Sequence, residues 1–331
     1  MIRAVTYRHS GNPAEVLEVT KVDTPPAPGP GQILMQVTAF PLHPGDLQAV
    51  QGAHPSPGEP VAVGIEATGT VLDVGVGVTT VSPGTRVTVF PHPGAWRDTI
   101  LVDAQFAVAV PDALSDDVAA QMLVNPITVL MLRRAAQQHF STGFDGVVLN
   151  NAAASSVGRL FTAGSKHHEI ATISIVRSDE RAEQLRDRTP GVPVVSTASP
   201  DWVEQVRDAA AGRPIPVALD PIGGAIAADL LSLLSPGGTL ISYGVMAPEQ
   251  IPLHASTLLG ADLGIRGLSI GRWLGAVSAE QRASDVASAL AMAQGMAPLF
   301  APAAIYPMEQ ISEAAAHVSR PGRVGVVLVT P

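Results

Sequence analysis

Residues Asp145–Glu180 read DGVVLNNAAASSVGRLFTAGSKHHEIATISIVRSDE and contain the pattern that decides the fold. A short apolar run, Val147–Asn150, is followed by a turn of small residues, a segment with helical spacing and a second apolar run, Ile170–Val176. In the middle segment, from about Ser156 to His167, apolar side chains recur at the spacing that buries one helix face against a sheet. This order predicts one βαβ unit with two buried strands.

The turn between the first strand and the helix stands where a dinucleotide-binding fold carries the sequence GxGxxG. The first of its three glycine positions makes the tight turn, and the three are filled by Ala153, Ser155 and Gly158, so only the last glycine is kept. Alanine and serine are the next smallest side chains, and the start of the helix offers N–H groups and a positive dipole end to a phosphate. A purely structural tight turn would use similar residues. The predicted diphosphate site comprises Ala154, Ser155, Ser156, Val157 and Gly158.

The end of the second strand predicts which dinucleotide is bound. An NAD site carries a carboxylate about 20 residues beyond the turn, where it accepts hydrogen bonds from the ribose hydroxyls. This chain has Arg177 at that place, followed by Ser178. A guanidinium pairs with a 2'-phosphate that a carboxylate would repel, so we predict NADPH as the cofactor, with Ser178 as a second donor. The alternative is an ordinary surface arginine at a strand end.

Composition restricts the class of protein further. The 331 residues include 46% hydrophobic side chains and no cysteine, and the formal net charge is −9. An acidic chain without a basic run is not expected to bind nucleic acid. The start MIRAVTYRHS is no signal peptide and no apolar run spans a bilayer, so we expect a cytoplasmic protein that does not bind membranes. The lack of cysteine excludes disulfides and sulfur-ligated zinc.

The residue composition and the spacing of apolar residues change along the chain. Residues 1–120 have short alternating runs and frequent Gly and Pro turn signals, which predict a β-rich domain. Ser115 predicts a helix start, and Pro126 is expected to interrupt the helical spacing that follows. Strands and helices alternate over residues 121–265, which predicts an α/β domain with a doubly wound parallel sheet. Residues 266–331 are expected to return to the β-rich domain.

The predicted parallel sheet ends in an apolar strand near Leu263–Ile270. An edge strand exposes unpaired N–H and C=O groups that can pair with the same strand of a second copy. We therefore predict a homodimer.

Ten segments spread along the chain together resemble the medium-chain dehydrogenase/reductase family. In chain order they read PLHPGDLQAVQGAHP, VGIEATGTVLDVGVGV, PGTRV, GAWRDTILVD, LVNPITVLML, NAAASSVG, IVRSDE, LDPIGG, SPGGTLISYGVMA and LGIRGLSIGRW. The resemblance is to the zinc-free branch, which contains 2-enoyl thioester reductases and quinone oxidoreductases. It implies a Rossmann NADP-binding domain combined with a GroES-like, β-rich catalytic domain.

The resemblance also implies roles for residues outside the turn. Asn125 and Thr128 would border the nicotinamide, and Trp273 would line the substrate pocket. The remaining implied cofactor contacts are Tyr243, Gly244, Val245, Met246, Leu268 and Ser269.

Two departures from the family pattern bear on the chemistry. Zinc-dependent members carry a cysteine near the place of Gly45 and a histidine at the place of Ile65, so the resemblance implies no metal here. Thioester reductases use a tyrosine as proton donor where this chain has His54. Because histidine titrates near a pH of about 6.5, we predict that His54 is the catalytic acid, with water as the alternative donor.

The activity that the resemblance implies is the NADPH-dependent reduction of a C=C bond conjugated to a carbonyl. A 2-enoyl thioester is the expected small-molecule substrate. A quinone or small enone is the alternative, because both reactions use the same cofactor geometry. A further alternative is a redox sensor that binds NADPH with little turnover, since the tyrosine and two motif glycines are missing.

Overall fold

The computed structural model describes residues 1–53, 59–139 and 146–331. The predicted proton donor His54 lies outside the described residues. The chain divides into two compact units, of which the first comprises Met1–Pro126 with Ser278–Pro331 and the second comprises Ile127–Val277. These limits, at residues 126 and 277, differ from the sequence-based boundaries at 120 and 265.

The strands of the described residues are β1 (Ile2–Tyr7), β2 (Glu18–Val22), β3 (Gln32–Pro41), β4 (Val61–Ala62), β5 (Ala67–Val74), β6 (Arg86–Val89), β7 (Thr99–Asp103), β8 (Ala107–Ala109), β9 (Val148–Asn150), β10 (Thr172–Val176), β11 (Val194–Ser196), β12 (Val217–Asp220), β13 (Thr239–Ser242), β14 (Gly264–Gly267), β15 (Ala304–Pro307) and β16 (Val327–Thr330). The α-helices are α1 (Pro13–Val16), α2 (Pro44–Gln48), α3 (Asp116–Ala119), α4 (Val124–Gln137), α5 (Ser156–Ser165), α6 (Asp179–Arg188), α7 (Trp202–Ala210), α8 (Gly224–Leu233), α9 (Ala255–Ala261), α10 (Trp273–Ala276), α11 (Ala279–Gly295) and α12 (Ile311–Val318). No helix in this part of the chain is long and apolar enough to cross a bilayer.

The second unit is built on one six-stranded sheet with the strand order β11-β10-β9-β12-β13-β14. Every neighbouring pair in it is parallel. From β9 the chain first adds β10 and β11 on one side of the sheet, and it then adds β12, β13 and β14 on the other side. The strand order therefore reverses between β9 and β12. In such a sheet ligands bind beyond the carboxyl ends of the strands at the reversal point. The predicted doubly wound parallel sheet is confirmed.

The βαβ unit that the sequence predicts forms the centre of this sheet. Val148 and Leu149 of β9 are fully buried, and α5 buries Leu160 and Phe161 on its predicted inner face. The polar residue of β9, Asn150, donates from Nδ2 to the carbonyl oxygen of Gly158 and to Thr162 Oγ1, both at 2.9 Å. A buried amide is thus accommodated because the helix above it supplies two acceptors.

The first unit consists largely of antiparallel strands. One sheet has the order β15-β16-β3-β5-β6-β8, with β7 paired to β3, and a second has the order β2-β1-β4. Its core contains the stacked rings of Phe40 and Trp96, whose centroids lie 5.5 Å apart. Gly64 borders this stack with a φ of 93°, and a Cβ atom there would lie 2.1 Å from the Trp96 ring. Glycine is therefore required at this turn by both conformation and space.

Two sequence-based expectations about helix ends had different outcomes. Ser115 begins α3 as predicted, and its hydroxyl oxygen accepts a hydrogen bond from the Val118 N–H. The expected interruption at Pro126 is wrong, because α4 starts at Val124 and continues through the proline. Proline is tolerated in a first helical turn, where its missing N–H would have had no partner within the helix.

Candidate active site

The turn after β9 is tight, and the residue with the left-handed backbone conformation is Ala152 and not the predicted Ala153. Ala152 adopts a left-handed φ of 52°, whereas Ala153 is fully buried. The Ala152 N–H donates to the side-chain oxygen of Asn151 at 2.8 Å, and the Ala152 carbonyl accepts from the Ser155 N–H at 2.9 Å. The sequence assigned the tight turn to the first GxGxxG position, but the neighbouring asparagine moves it one residue earlier.

Gly158 fulfils the role of the third glycine. A Cβ atom at this position would lie 2.5 Å from the carbonyl oxygen of Ala152 and 2.7 Å from Cα of Ala153. The Ser155 hydroxyl accepts from the Gly158 N–H at 3.1 Å, so this side chain caps the helix. Ala154 lies in the turn, and Ser156 and Val157 form the first turn of α5. The turn is therefore packed closely against the start of a helix, as a diphosphate site requires.

Arg177 directly follows β10 and is exposed. Because β10 pairs in parallel with β9, Arg177 lies at the same sheet edge as the turn. Ser178 is the N-cap of α6 and accepts from the Arg181 N–H at 3.4 Å, which leaves its hydroxyl hydrogen able to donate. The acidic residues Asp179 and Glu180 occupy the first turn of α6, where the helix dipole favours them.

Asp220, at the carboxyl end of β12, is a site residue that the sequence reasoning missed. It is fully buried, and its Oδ1 accepts from Asn151 Nδ2 at 2.8 Å and from the Ile222 N–H at 3.0 Å. Its Oδ2 accepts from the Gly223 N–H at 2.9 Å. The signal that could have revealed it is an aspartate at a strand end followed by Pro-Ile-Gly-Gly, in which Gly223 has a φ of 80°.

The segment after β13 is held against this second turn. The Tyr243 N–H donates to the carbonyl of Asp220 at 3.0 Å, and the Met246 N–H to that of Pro221 at 3.2 Å. Gly244 has no room for a side chain, since a Cβ would lie 2.7 Å from the Pro221 carbonyl oxygen. Val245 and Met246 are exposed at this edge.

The hydroxyl of Tyr243 is buried and has no hydrogen-bond partner among the described residues. Burial first, and the charge of Asp220 second, raise its pKa above the ordinary tyrosine value. The hydroxyl therefore stays protonated and can donate a hydrogen bond to a ligand.

The remaining predicted cofactor contacts of the second unit, Leu268 and Ser269, follow the end of β14. The Leu268 N–H donates to the carbonyl of Ser242 at 2.8 Å, and Ser269 begins a short 3-10 turn. Trp273 starts α10 and is almost fully buried, with 1% of its surface exposed. Thr128, on α4 within this unit, is also buried.

In the first unit, the start of α4 rests on a buried carboxylate. Glu66 Oε1 accepts from the N–H groups of Leu123 and Val124 at 2.8 and 3.1 Å. The next residue, Asn125, is buried, and its Nδ2 has no hydrogen-bond partner in the described part of the chain. An unsatisfied buried donor is costly, so this amide is suited to a bound acceptor.

His43 and Asp46 complete the buried polar cluster around Glu66. His43 Nε2 lies 2.7 Å from Glu66 Oε2. Burial lowers the pKa of His43, but the hydrogen bond and charge of Glu66, with the charge of Asp46, outweigh it and raise the pKa. Burial raises the pKa of Asp46 to about 7, against the opposing effect of His43. Within residues 1–53, 59–139 and 146–331, no three or more His, Asp or Glu side chains are placed so that they could hold a metal ion.

The residues present fit a dinucleotide phosphate. The parallel strands bring the predicted residues of the second unit to the carboxyl edge of one sheet, from the turn of Gly158 and from Arg177 to the segment of Tyr243. Two observations within the second unit favour this fit: a Cβ atom at Gly158 would collide with the turn, and the buried Tyr243 hydroxyl has no hydrogen-bond partner among the described residues.

Two family models match the chain. The alcohol dehydrogenase GroES-like domain matches residues 29–112, and the zinc-binding dehydrogenase model matches residues 156–291. With the fold, these matches define the class: the chain belongs to the medium-chain dehydrogenase/reductase superfamily. Its relatives and its lack of cysteine place it in the zinc-free branch of enoyl reductases and quinone oxidoreductases.

Similar proteins come from both groups of this branch. The mitochondrial enoyl-[acyl-carrier-protein] reductase of Bos taurus is 28% identical over 82% of this chain and 73% of its own length. The human synaptic vesicle membrane protein VAT-1 homolog is 28% identical and matches the whole chain and 87% of its own length. Quinone oxidoreductase of Escherichia coli, solved with NADPH, gives a TM-score of 0.85 at 23% identity over 99% of this chain and 100% of its own. Mycobacterial Rv1454c, also solved with NADPH, gives 0.85 at 25% identity over 100% of both chains.

Proposed function

We propose that this protein is an NADPH-dependent, metal-independent reductase of C=C bonds conjugated to a carbonyl, and that its substrate is a 2-enoyl thioester. The observation that carries the cofactor assignment is Arg177, at the carboxyl end of β10 beside the closely packed turn at Gly158. Two similar structures, both solved with NADPH, support the same cofactor. The enoyl-[acyl-carrier-protein] reductases among the relatives support the thioester.

In the proposed reaction the cofactor and the protein have separate roles. When bound, NADPH would supply a hydride to the β-carbon of the acceptor. The turn of Gly158 would hold the dinucleotide, and the Tyr243 hydroxyl would offer it a hydrogen-bond donor. We assign the proton that then reaches the α-carbon to His54, with water as the alternative donor.

The cofactor assignment is tested by Arg177→Ala. Loss of a guanidinium paired with the 2'-phosphate should weaken NADPH binding about tenfold to a hundredfold, the effect of roughly 1.4 to 3 kcal/mol. NADH binding should not change, because NADH lacks the 2'-phosphate. Isothermal titration calorimetry measures both, and Arg188→Ala, an exposed arginine at the other end of α6, is the matched control. Equal binding of NADPH by the R177A variant and the wild type would rule out this role.

A quinone or small enone is the second candidate substrate. The quinone oxidoreductases among the structural neighbours favour it. Oxidation of NADPH with crotonyl-CoA, compared with oxidation by 1,4-naphthoquinone, separates the two. Turnover of the quinone alone would eliminate the thioester. Tight NADPH binding without oxidation by any enone would instead support the third candidate, a redox sensor.

We also propose a homodimer formed through the edge of the parallel sheet. β14 is the last strand in the order of the second unit, and Ile265 on it and Leu259 on α9 are 41% and 83% exposed. Light scattering should give about twice the chain mass of 34.1 kDa. Ile265→Lys should shift the mass toward the monomer, because an edge lysine opposes strand pairing. Val76→Lys, at an exposed position of the first unit, should leave the mass unchanged.

A further inference from the structure

Asp220 is a fully buried carboxylate, and its hydrogen-bond partners among the described residues are all neutral donors. Asn151 Nδ2 and the N–H groups of Ile222 and Gly223 all donate to it, at 2.8 to 3.0 Å. None of the ion pairs between described residues includes it. Among the described residues three groups donate to this carboxylate, none accepts from it and no cation pairs with it, which is the hydrogen-bond pattern that suits a carboxylate anion.

The position of this charge in the sheet is specific. Asn151 follows β9 and Asp220 ends β12, so their 2.8 Å hydrogen bond crosses the point where the strand order reverses. The Asp220 carbonyl also accepts from the N–H of Tyr243, which begins the segment proposed to lie along the cofactor. The charge acts on this segment, since it contributes to the raised pKa of the Tyr243 phenol.

We infer that Asp220 makes the cofactor site selective for the oxidised form of the nicotinamide. This inference rests on the proposed function, because it takes the Tyr243 segment as the place where the nicotinamide binds. The reduced ring is neutral and the oxidised ring carries one positive charge. A buried negative charge favours the positive ring, and the low dielectric constant of the site makes the attraction stronger than in water.

The consequence for the reaction is a bias in its direction. Transfer of the hydride moves two electrons and one hydrogen nucleus to the β-carbon of the acceptor, and the anion formed on the acceptor is neutralised by one proton. The ring charge rises by one in the same event. A carboxylate held in place beforehand by Asn151 and two backbone N–H groups stabilises that charge without rearrangement.

The experiment is calorimetric titration of NADPH and NADP+ into the whole chain and its variants. Asp220→Asn should weaken NADP+ binding on the order of tenfold relative to NADPH, which corresponds to about 1.4 kcal/mol. Asp220→Ser is a second neutral variant, which replaces Asp220→Asn in the experiment if that variant does not fold. Asp229→Asn removes an exposed charge from α8 and should leave the ratio of the two dissociation constants unchanged.

The remaining outcomes separate the inference from its alternatives. Asn151→Ala keeps the charge but removes one hydrogen bond, so it should weaken both forms alike and keep their ratio. If the neutral variants at Asp220 also weaken both forms alike, or change neither, Asp220 is only a structural tie and the inference is overturned. If the wild type binds neither form, the proposed function fails instead.

Discussion

Glu66 in the first unit and Asp220 in the second are both fully buried carboxylates, and their surroundings differ. Glu66 lies 2.7 Å from His43, whose pKa is raised because the hydrogen bond and charge of Glu66, with the charge of Asp46, outweigh the effect of burial. Asp220 accepts from an amide and from backbone N–H groups and has no ionic partner among the described residues. A titratable partner makes the energy of a buried carboxylate depend on pH, whereas amide and backbone donors do not titrate.

The same contrast extends to the surroundings of each carboxylate. In the second unit, the network beneath Asn150 is made of neutral groups, with the Thr162 and Ser174 hydroxyls 3.0 Å apart. The cluster of the first unit contains titratable groups, and Asp46 has a pKa of about 7 because it is buried. We therefore expect the stability of the first unit to depend on pH and that of the second unit's polar core not to.

The largest effect is expected at Glu66. Glu66→Ala leaves His43 buried without its partner and two N–H groups of the α4 start without their acceptor. Loss of one partner of a buried pair costs about 3–5 kcal/mol. Urea titration should show this loss in the free energy of unfolding, and Glu66→Gln, which keeps the shape, should lose less. A loss below about 1 kcal/mol for E66A would contradict the pairing.

Asp46 should produce the pH dependence of the first unit. Its folded pKa of about 7 exceeds the ordinary value of 3.8, so the folded state keeps a proton that the unfolded state releases, and stability falls as the pH rises between these values. The full shift corresponds to a loss of up to about 4 kcal/mol. The raised pKa of His43 acts in the same direction, because its stabilising proton is lost as the pH rises through its folded pKa.

Asp46→Asn should therefore flatten the curve of unfolding free energy against pH between about 4 and 7. The comparison uses the slope and not the absolute stability, since the amide brings its own polar atoms into the buried site. Urea titrations at several pH values measure it. A slope equal to that of the wild type would show that Asp46 does not hold the proton.

Gly158 tests the packing of the second unit. Gly158→Ala places a Cβ 2.5 Å from the Ala152 carbonyl oxygen, and overpacking of this kind costs about 1–3 kcal/mol. NADPH binding should weaken as well, because the turn must move. Gly260→Ala on α9 has open space and should be neutral or slightly stabilising. Equal stability of the two variants would contradict the close approach of Gly158 to the Ala152 carbonyl.

The smallest effect is expected at Thr162. Thr162→Val removes the hydroxyl between Asn150 and Ser174, at a cost of about 1–2 kcal/mol. Because no titratable group takes part, the loss should be the same at pH 5 and pH 8, and Thr162→Ser should largely restore stability. A loss that changes with pH would break the contrast between the two units.

Sequence reasoning succeeded where the pattern is local. The apolar runs and helical spacing of Asp145–Glu180 predicted the central βαβ unit, and the spacing from Gly158 located Arg177 at the strand end. It failed at Pro126, where a helix interruption and a first-turn proline look alike in sequence. It also placed the tight turn at Ala153 instead of Ala152, because the deciding contact comes from the Asn151 side chain.

The sequence by itself determined the class of fold, the absence of sulfur ligands and the set of small residues at the dinucleotide turn. These follow from residue type and from spacings within about one βαβ unit. Only the tertiary structure decided which buried polar groups meet: Asn151 with Asp220, 69 residues apart, and His43 with Glu66, 23 residues apart. Such pairs depend on strand order and register, which bring together residues that no local periodicity connects.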